Sequence, residues 1–189
     1  EYDGGPFVGW QRQDNGPSIQ AVIEDAAKAF IHAPVAVVGA GRTDAGVHAT
    51  GQAAHIDVPE KFTANRVMEA LNAHLSSVPV TIQGASEVPG DFHARFSAIG
   101  RRYLYRILPR RQPPALEAGR VWHHKQKLDP ELMTRAAKHL LGRHDFTSFR
   151  ASQCQAETPF RTLERLDIEA RGDEIHIHTE AQSFLHHQV

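Results

Sequence analysis

Pro17-Ser18 opens a stretch in which Ile19, Val22, Ile23, Ala26, Ala27 and Phe30 recur at helical spacing. A stripe of that period predicts a helix buried on one face, capped by Ser18 and ending near His32, ahead of Pro34. Residues 35–41 (VAVVGAG) read as a short buried strand, 41–51 (GRTDAGVHATG) as a glycine-rich loop, and 52–58 (QAAHIDV) as a second strand. Thr63 is placed to cap another helix, with Val67, Met68, Leu71 and Leu75 as its apolar face. Residues 78–88 (VPVTIQGASEV) read as a further strand.

After the junction DFHARFSAIG, the pattern switches to alternation. In RRYLYRIL (101–108), Tyr103, Tyr105 and Ile107 share one face, and Arg102, Leu104, Arg106 and Leu108 share the other. RRQPPALEAGR is a loop and VWHHK a short strand. Asp129-Pro130 starts a helix in which Leu132, Met133, Ala136, Ala137, Leu140 and Leu141 run at helical spacing to Gly142. Residues 161–182 read as a hairpin turning at Arg171-Gly172-Asp173. DFHARFS near residue 91 is echoed by HDFTSFRAS near residue 144. The element order and this echo predict an α+β fold of two similar halves, ferredoxin-like or RRM-like, sharing a central antiparallel sheet. The expected halves are 1–96, with the glycine-rich loop, and 97–189.

Composition narrows the function classes. The chain has 189 residues, 41% hydrophobic and 23% charged, enough to bury a core and exclude wholesale disorder. No apolar run approaches the ~20 residues that span a bilayer. The first residues lack the basic-then-apolar order of a secretory signal. A single cysteine, Cys154, excludes an intrachain disulfide and fits a reducing, cytoplasmic setting. The first residue is not methionine, Glu1-Tyr2 reads as the end of a strand, and HHQV closes without a cap. The expectation is an interior piece of a longer protein, truncated at its C-terminus. A net charge of −1 argues against a strongly basic nucleic-acid coat protein. It leaves room for a local basic surface, for which Arg101, Arg102, Arg106, Arg110 and Arg111 are the candidates.

The glycine-rich loop invites three readings. A dinucleotide site is excluded because no helix begins at Gly39 and Gly41 to hold a pyrophosphate. Arg42 and Asp44, two residues apart, point the same way in extended backbone. An arginine beside a carboxylate keeps it ionised and oriented, ready to act as nucleophile or base. The plainer alternative is a loop salt bridge with Asp44-Ala45-Gly46 as a tight turn. Tyr103 and Tyr105 among arginines suit stacked bases and held phosphates, or equally a strand with one tyrosine in the core. Thirteen histidines raise the question of zinc, but no HExxH spacing appears and one cysteine cannot make the usual thiolate sites. Cys154, in SQCQAE, has no activating neighbour in sequence.

Five blocks in register then carry a resemblance. EYDG with Phe7 to Gln13, Ala40 to Gln52, Asp91 to Tyr105, Asp145 to Gln155 and Phe184 to Val189 resemble, in order, the motifs of the tRNA pseudouridine synthase A family. The resemblance implies conversion of uridine to pseudouridine at positions 38, 39 and 40 of the tRNA anticodon stem-loop, without cofactor or metal. It implies Asp44 as the catalytic aspartate, Arg42 as its partner and Tyr103 as the ring that stacks on the target base. It implies an active cleft between the halves and a homodimer that binds tRNA across both subunits. The family continues past the FLHH block with an arginine and a glycine-bearing helix, where this chain ends at Val189, and Gln188 stands where methionine is common. Three rivals stand beside this reading: an RNA-binding module without catalysis, a metal-dependent hydrolase using the histidines, and a synthase acting on another RNA.

Overall fold

Local capping accounts for the helices. In the computed structural model, which describes residues 1–152, 154 and 156–189, the buried Ser18 hydroxyl accepts the Ala21 amide. Helix α1 follows as Ile19–Ile31; the His32 N–H still bonds to Lys28 O, and the left-handed backbone of His32 then turns the chain out of the helix. Thr63 caps α2 (Ala64–His74) in the same way, and Val67, Leu71 and Leu75 turn inward at four-residue spacing. Met68, expected on that face, is half-buried. Asp129 caps α3 (Pro130–Ala137) with two bonds, to the Glu131 and Leu132 amides. The pattern that runs on to Gly142 tightens into a 3-10 turn at Lys138–Leu140.

The chain divides into two units, Glu1–Ala98 and Ile99–Val189, and its class is α+β. In the first unit, β1 (Val37–Gly39) pairs antiparallel with β2 (Ala54–Ile56), and these two strands flank the glycine-rich loop. Tyr2, Phe7 and Trp10 from the opening segment join Ile19, Ile23, Val37, Val67 and Leu71 in one core. The expected strand over 78–88 reduces to a single bridge, Tyr2↔Val80. Tyr2 also bridges Ala49, so the opening segment is shared between two neighbours over one residue each. Beyond Ile82 the backbone lies exposed with no ladder partner among the described residues.

The second unit is built on a five-stranded sheet, ordered β4-β3-β7-β6-β5. Its strands are β3 (Arg101–Pro109), β4 (Trp122–His124), β5 (Gly142–Asp145), β6 (Phe160–Arg171) and β7 (Glu174–Ala181). β6 and β7 form the expected hairpin, with Arg171 facing Glu174 across a two-residue turn. Their alternation sets two faces: Ile175, Ile177, Thr179 and Ala181 on one, Glu174, His176, His178 and Glu180 on the other. Phe146, Leu163, Ala181 and Leu185 form the core on the apolar side. The expected antiparallel pairing holds for β3, β7, β6 and β5, and one edge departs from it. β3 and β4 run parallel, because the connection of residues 110–121 carries the chain back to re-enter in the same direction. β5 is an addition to the expected elements; GRHD has no alternation of its own and is recruited by the long β6.

Candidate active site

The loop between β1 and β2 is closed at its base by backbone and side-chain bonds. Ala40 N–H donates to Ala53 O at 2.8 Å, and Gln52 Nε2 donates to Gly41 O at 2.8 Å. At its tip, Val47 N–H donates to Asp44 O at 3.2 Å, and Gly46 sits at φ +77°. That is a tight turn whose third residue needs the left-handed region, hence glycine. The turn reading and the catalytic reading of Asp44 are therefore compatible: the turn sets the direction of the half-buried carboxylate that opens it.

The opening segment holds this loop from below. Trp10 N–H donates to Thr43 O at 2.9 Å, and the Tyr2 hydroxyl lies 2.8 Å from Thr43 Oγ1. Tyr2 and Ala49 exchange both backbone bonds, at 2.8 and 3.1 Å. Gly4 N–H donates to His48 Nδ1 at 3.1 Å. The approach is so close that a Cβ on Gly4 would lie 2.1 Å from Val47 O, and one on Gly9 would lie 2.9 Å from Thr43 O. Arg12 fastens the far end of the segment to α1 through Glu24 at 2.7 Å and Asp25 at 3.0 Å. In the sequence, EYDG and GWQRQ stand out as family motifs and not as the loop's support. The signal available was two glycines, Gly4 and Gly9, in an otherwise core-forming segment.

Arg42 is exposed, two residues before Asp44 on the same loop.

In the second unit, β3 carries the remaining candidates. Tyr103 is half-buried, its ring edge-on to Phe184 with centroids 5.2 Å apart. Tyr105 is 39% exposed and lies beside Trp122. Neither tyrosine belongs to the buried core.

The five arginines separate by partner. Arg106 makes a bidentate pair with Glu174, at 2.8 and 2.7 Å, and meets Glu117 at 2.7 Å. Its guanidinium is shared between two carboxylates, which leaves little charge for a phosphate. Arg101 donates to Gln182 O, Arg102 pairs with Glu180 at 3.0 Å, and Arg110 pairs with Asp173 at 3.2 Å. Arg102 and Arg111 are exposed. His176 and His178 do share a face, as expected, but His176 Nε2 is 2.9 Å from Glu174 Oε2, within the same ion network.

This network has a pH signature. The Arg106 hydrogen bonds, and then that of His176, hold the Glu174 carboxyl below the usual glutamate range. A depressed carboxyl stabilises the fold fully above its unfolded pKa and loses that contribution as pH falls through its folded value. Thermal melting of the wild type is therefore expected to decline as pH drops below about 4.5. Arg106→Met is expected to cost about 1–2 kcal/mol near neutrality and to flatten that acid decline. Parallel melting curves at every pH would contradict the assignment.

Within the fourth and fifth blocks, Phe146 and Leu185 are core residues, and Ala151 N–H donates to His186 O at 3.1 Å. Gln153 and Gln155 of the block from Asp145 to Gln155 lie outside the described residues. Backbone hydrogen bonds from Ala156 and His186 hold the Cys154 thiol below its usual range. Gln188, at the position where methionine was expected, accepts the Leu185 amide at 2.7 Å through its side-chain oxygen. No helix among the described residues is long and apolar enough to cross a membrane.

Comparison with known proteins bears on the whole chain. A family model described as tRNA pseudouridine synthase matches residues 1–97 and 136–189, which include the Asp44 loop and its support. Residues 98–135, which carry Tyr103 and the five arginines, fall between the matched segments. Curated relatives span them. The tRNA pseudouridine synthase A of Rhodospirillum centenum is 57% identical over all 189 residues, which cover 77% of that protein. That of Beijerinckia indica is 57% identical over the whole chain and 73% of its own length. That of Zymomonas mobilis is 54% identical, with 77% covered. With the family model spanning both units and relatives matching from Glu1 to Val189, this chain belongs to the tRNA pseudouridine synthase family.

Proposed function

We propose that the chain converts uridine to pseudouridine at positions 38, 39 and 40 of the tRNA anticodon stem-loop, with Asp44 as the reacting carboxylate and without cofactor or metal. As an isomerase it breaks the C1′–N1 bond, turns the uracil and joins C1′ to C5. C5 gives up its hydrogen as a proton and N1 gains one, so the base is rearranged with no net change in composition. A carboxylate serves this by attacking C1′ or by removing the 2′ proton of the sugar. The observation that carries the reading is the placement of Asp44 at the first position of a turn whose flanks the opening segment holds through Thr43, His48 and Ala49.

Other roles follow from the family resemblance. Arg42 is assigned to meet Asp44 or a phosphate when RNA is bound, and its exposure leaves it reachable. Tyr103 is assigned to stack on the target base, which must first leave the helical stack at a cost of a few kcal/mol. Arg101, Arg102, Arg110 and Arg111 are the phosphate-binding candidates that offset this cost, while Arg106 belongs to the ion network. Two halves, 1–96 and 97–189, acting in a cytoplasmic homodimer complete the reading. A dimer doubles a local arginine surface that the net charge of −1 conceals.

The reaction expels the C5 hydrogen, so unmodified tRNA tritiated at uridine C5 is expected to release tritium to water. Release should persist in EDTA and vanish when uridines 38 to 40 are replaced by cytidine. Loss of release on chelation would favour the metal-dependent rival. Release that survives the cytidine replacements would place the substrate elsewhere.

A further inference from the structure

We propose that Tyr2 is a positioning residue for the Asp44 carboxylate, acting through the contact of its hydroxyl with Thr43. The inference rests on the reading of Asp44 as the reacting group, and it assigns a task to a residue that the core alone does not explain.

Tyr2 is 6% exposed and its ring packs among Phe7, Trp10, Ile19 and Val80. Phenylalanine would fill that space equally well. A phenol buried there costs desolvation unless its hydroxyl finds a partner. The partner is Thr43 Oγ1 at 2.8 Å, where either oxygen can donate. Burial pushes the phenol pKa up, while the hydrogen bonds of Thr43 and Gln52 oppose that rise, so the group stays a neutral hydroxyl at physiological pH. Thr43 immediately precedes Asp44, and its carbonyl is held separately by the Trp10 amide. Thr43 is therefore fixed through side chain and backbone together.

Tyr2 is anchored outside the loop by its backbone bridge to Val80, by the flanking bonds Asp3 N–H to Pro79 O and Thr81 N–H to Glu1 O, and by its place in the core. The loop between β1 and β2 has no regular structure of its own over residues 40–53 apart from turns and the Ala49 bridge. The Tyr2 hydroxyl thus ties the residue next to Asp44 to a rigid part of the core. Releasing the tie lets the carboxylate sample positions off the reacting geometry, and misplacement of about 1 Å costs on the order of 100-fold in rate.

The test is single-turnover pseudouridine formation by the full chain, with tRNA affinity and thermal melting measured on the same samples. Tyr2→Phe and Thr43→Val are each expected to slow the chemical step by roughly 10- to 100-fold. tRNA affinity should stay unchanged. The double variant should be no slower than the slower single one, since both remove the same bond. Thr43→Ser, which keeps the hydroxyl, should restore most of the rate. A wild-type rate in Tyr2→Phe would overturn the proposal, as would losses that multiply in the double variant. So would parallel losses of rate and tRNA affinity, which would mark a merely structural role. Asp44→Asn in the same assay separates the two levels. A silent Asp44→Asn beside a fully active Tyr2→Phe removes the positioning role alone, whereas an active Asp44→Asn removes the reading on which it rests.

Discussion

Asp44→Asn is expected to lower pseudouridine formation by roughly 10³-fold or more while leaving tRNA binding intact. Asparagine has nearly the same shape and can keep the turn, because the Val47 amide bonds to the Asp44 backbone carbonyl rather than to its side chain. What is lost is the ionised carboxylate, which an amide cannot replace as nucleophile or base. Binding should hold or tighten slightly, since the change removes a negative charge near a polyanion. The measurement is single-turnover kinetics beside filter binding at one fixed salt concentration. Rate and affinity falling together would instead indicate a structural role for the carboxylate.

The second large effect is expected at Gly4→Ala. The added Cβ would lie 2.1 Å from Val47 O, 2.5 Å from Val47 C and 3.0 Å from Val47 N. All three atoms are backbone, so no side chain can swing aside, and ordinary contact needs a shift on the order of 1 Å. The segment forced to move is the turn that begins at Asp44. The same shift strains the bond from Gly4 N–H to His48 Nδ1. The expected cost is about 3 kcal/mol of stability together with a rate loss on the order of 100-fold. Gly5→Ala is the control. There the nearest atom is the Asp3 carboxylate oxygen at 3.1 Å, at the end of a side chain that can turn away. That variant should stay within about 0.5 kcal/mol of wild type. Equal melting temperatures for the two variants, or a fully active Gly4→Ala, would contradict the clamp.

The parts of the fold that were legible in the sequence are those set by neighbours along the chain. Helices α1 and α2 announce themselves through Ser18 and Thr63 and through apolar residues at helical spacing, and both caps form. The β6–β7 hairpin is legible for a similar reason: alternation on both sides of a short polar turn. The failures concern partners. Residues 78–88 have strand composition but pair only at Val80, because a strand exists only where another segment meets it. The parallel direction of β4 depends on the course of residues 110–121, which carries no periodic signal.

The site divides along the same line. Asp44, Arg42 and Tyr103 are visible as residue types within motifs. That Arg106 is shared by Glu117 and Glu174 is not visible, since Glu174 comes from a distant strand and Glu117 from a loop without periodic signal. Nor is the contact of Tyr2 with Thr43, which links residues 41 positions apart.

The most direct test of the central claim is nucleotide-resolved mapping of pseudouridine on unmodified tRNA, after incubation with the wild-type chain and with Asp44→Asn. Pseudouridine is expected at positions 38 to 40 with the wild type and at none of them with the variant. Equal product from the variant, or a wild type that binds tRNA yet forms none, would contradict the claim.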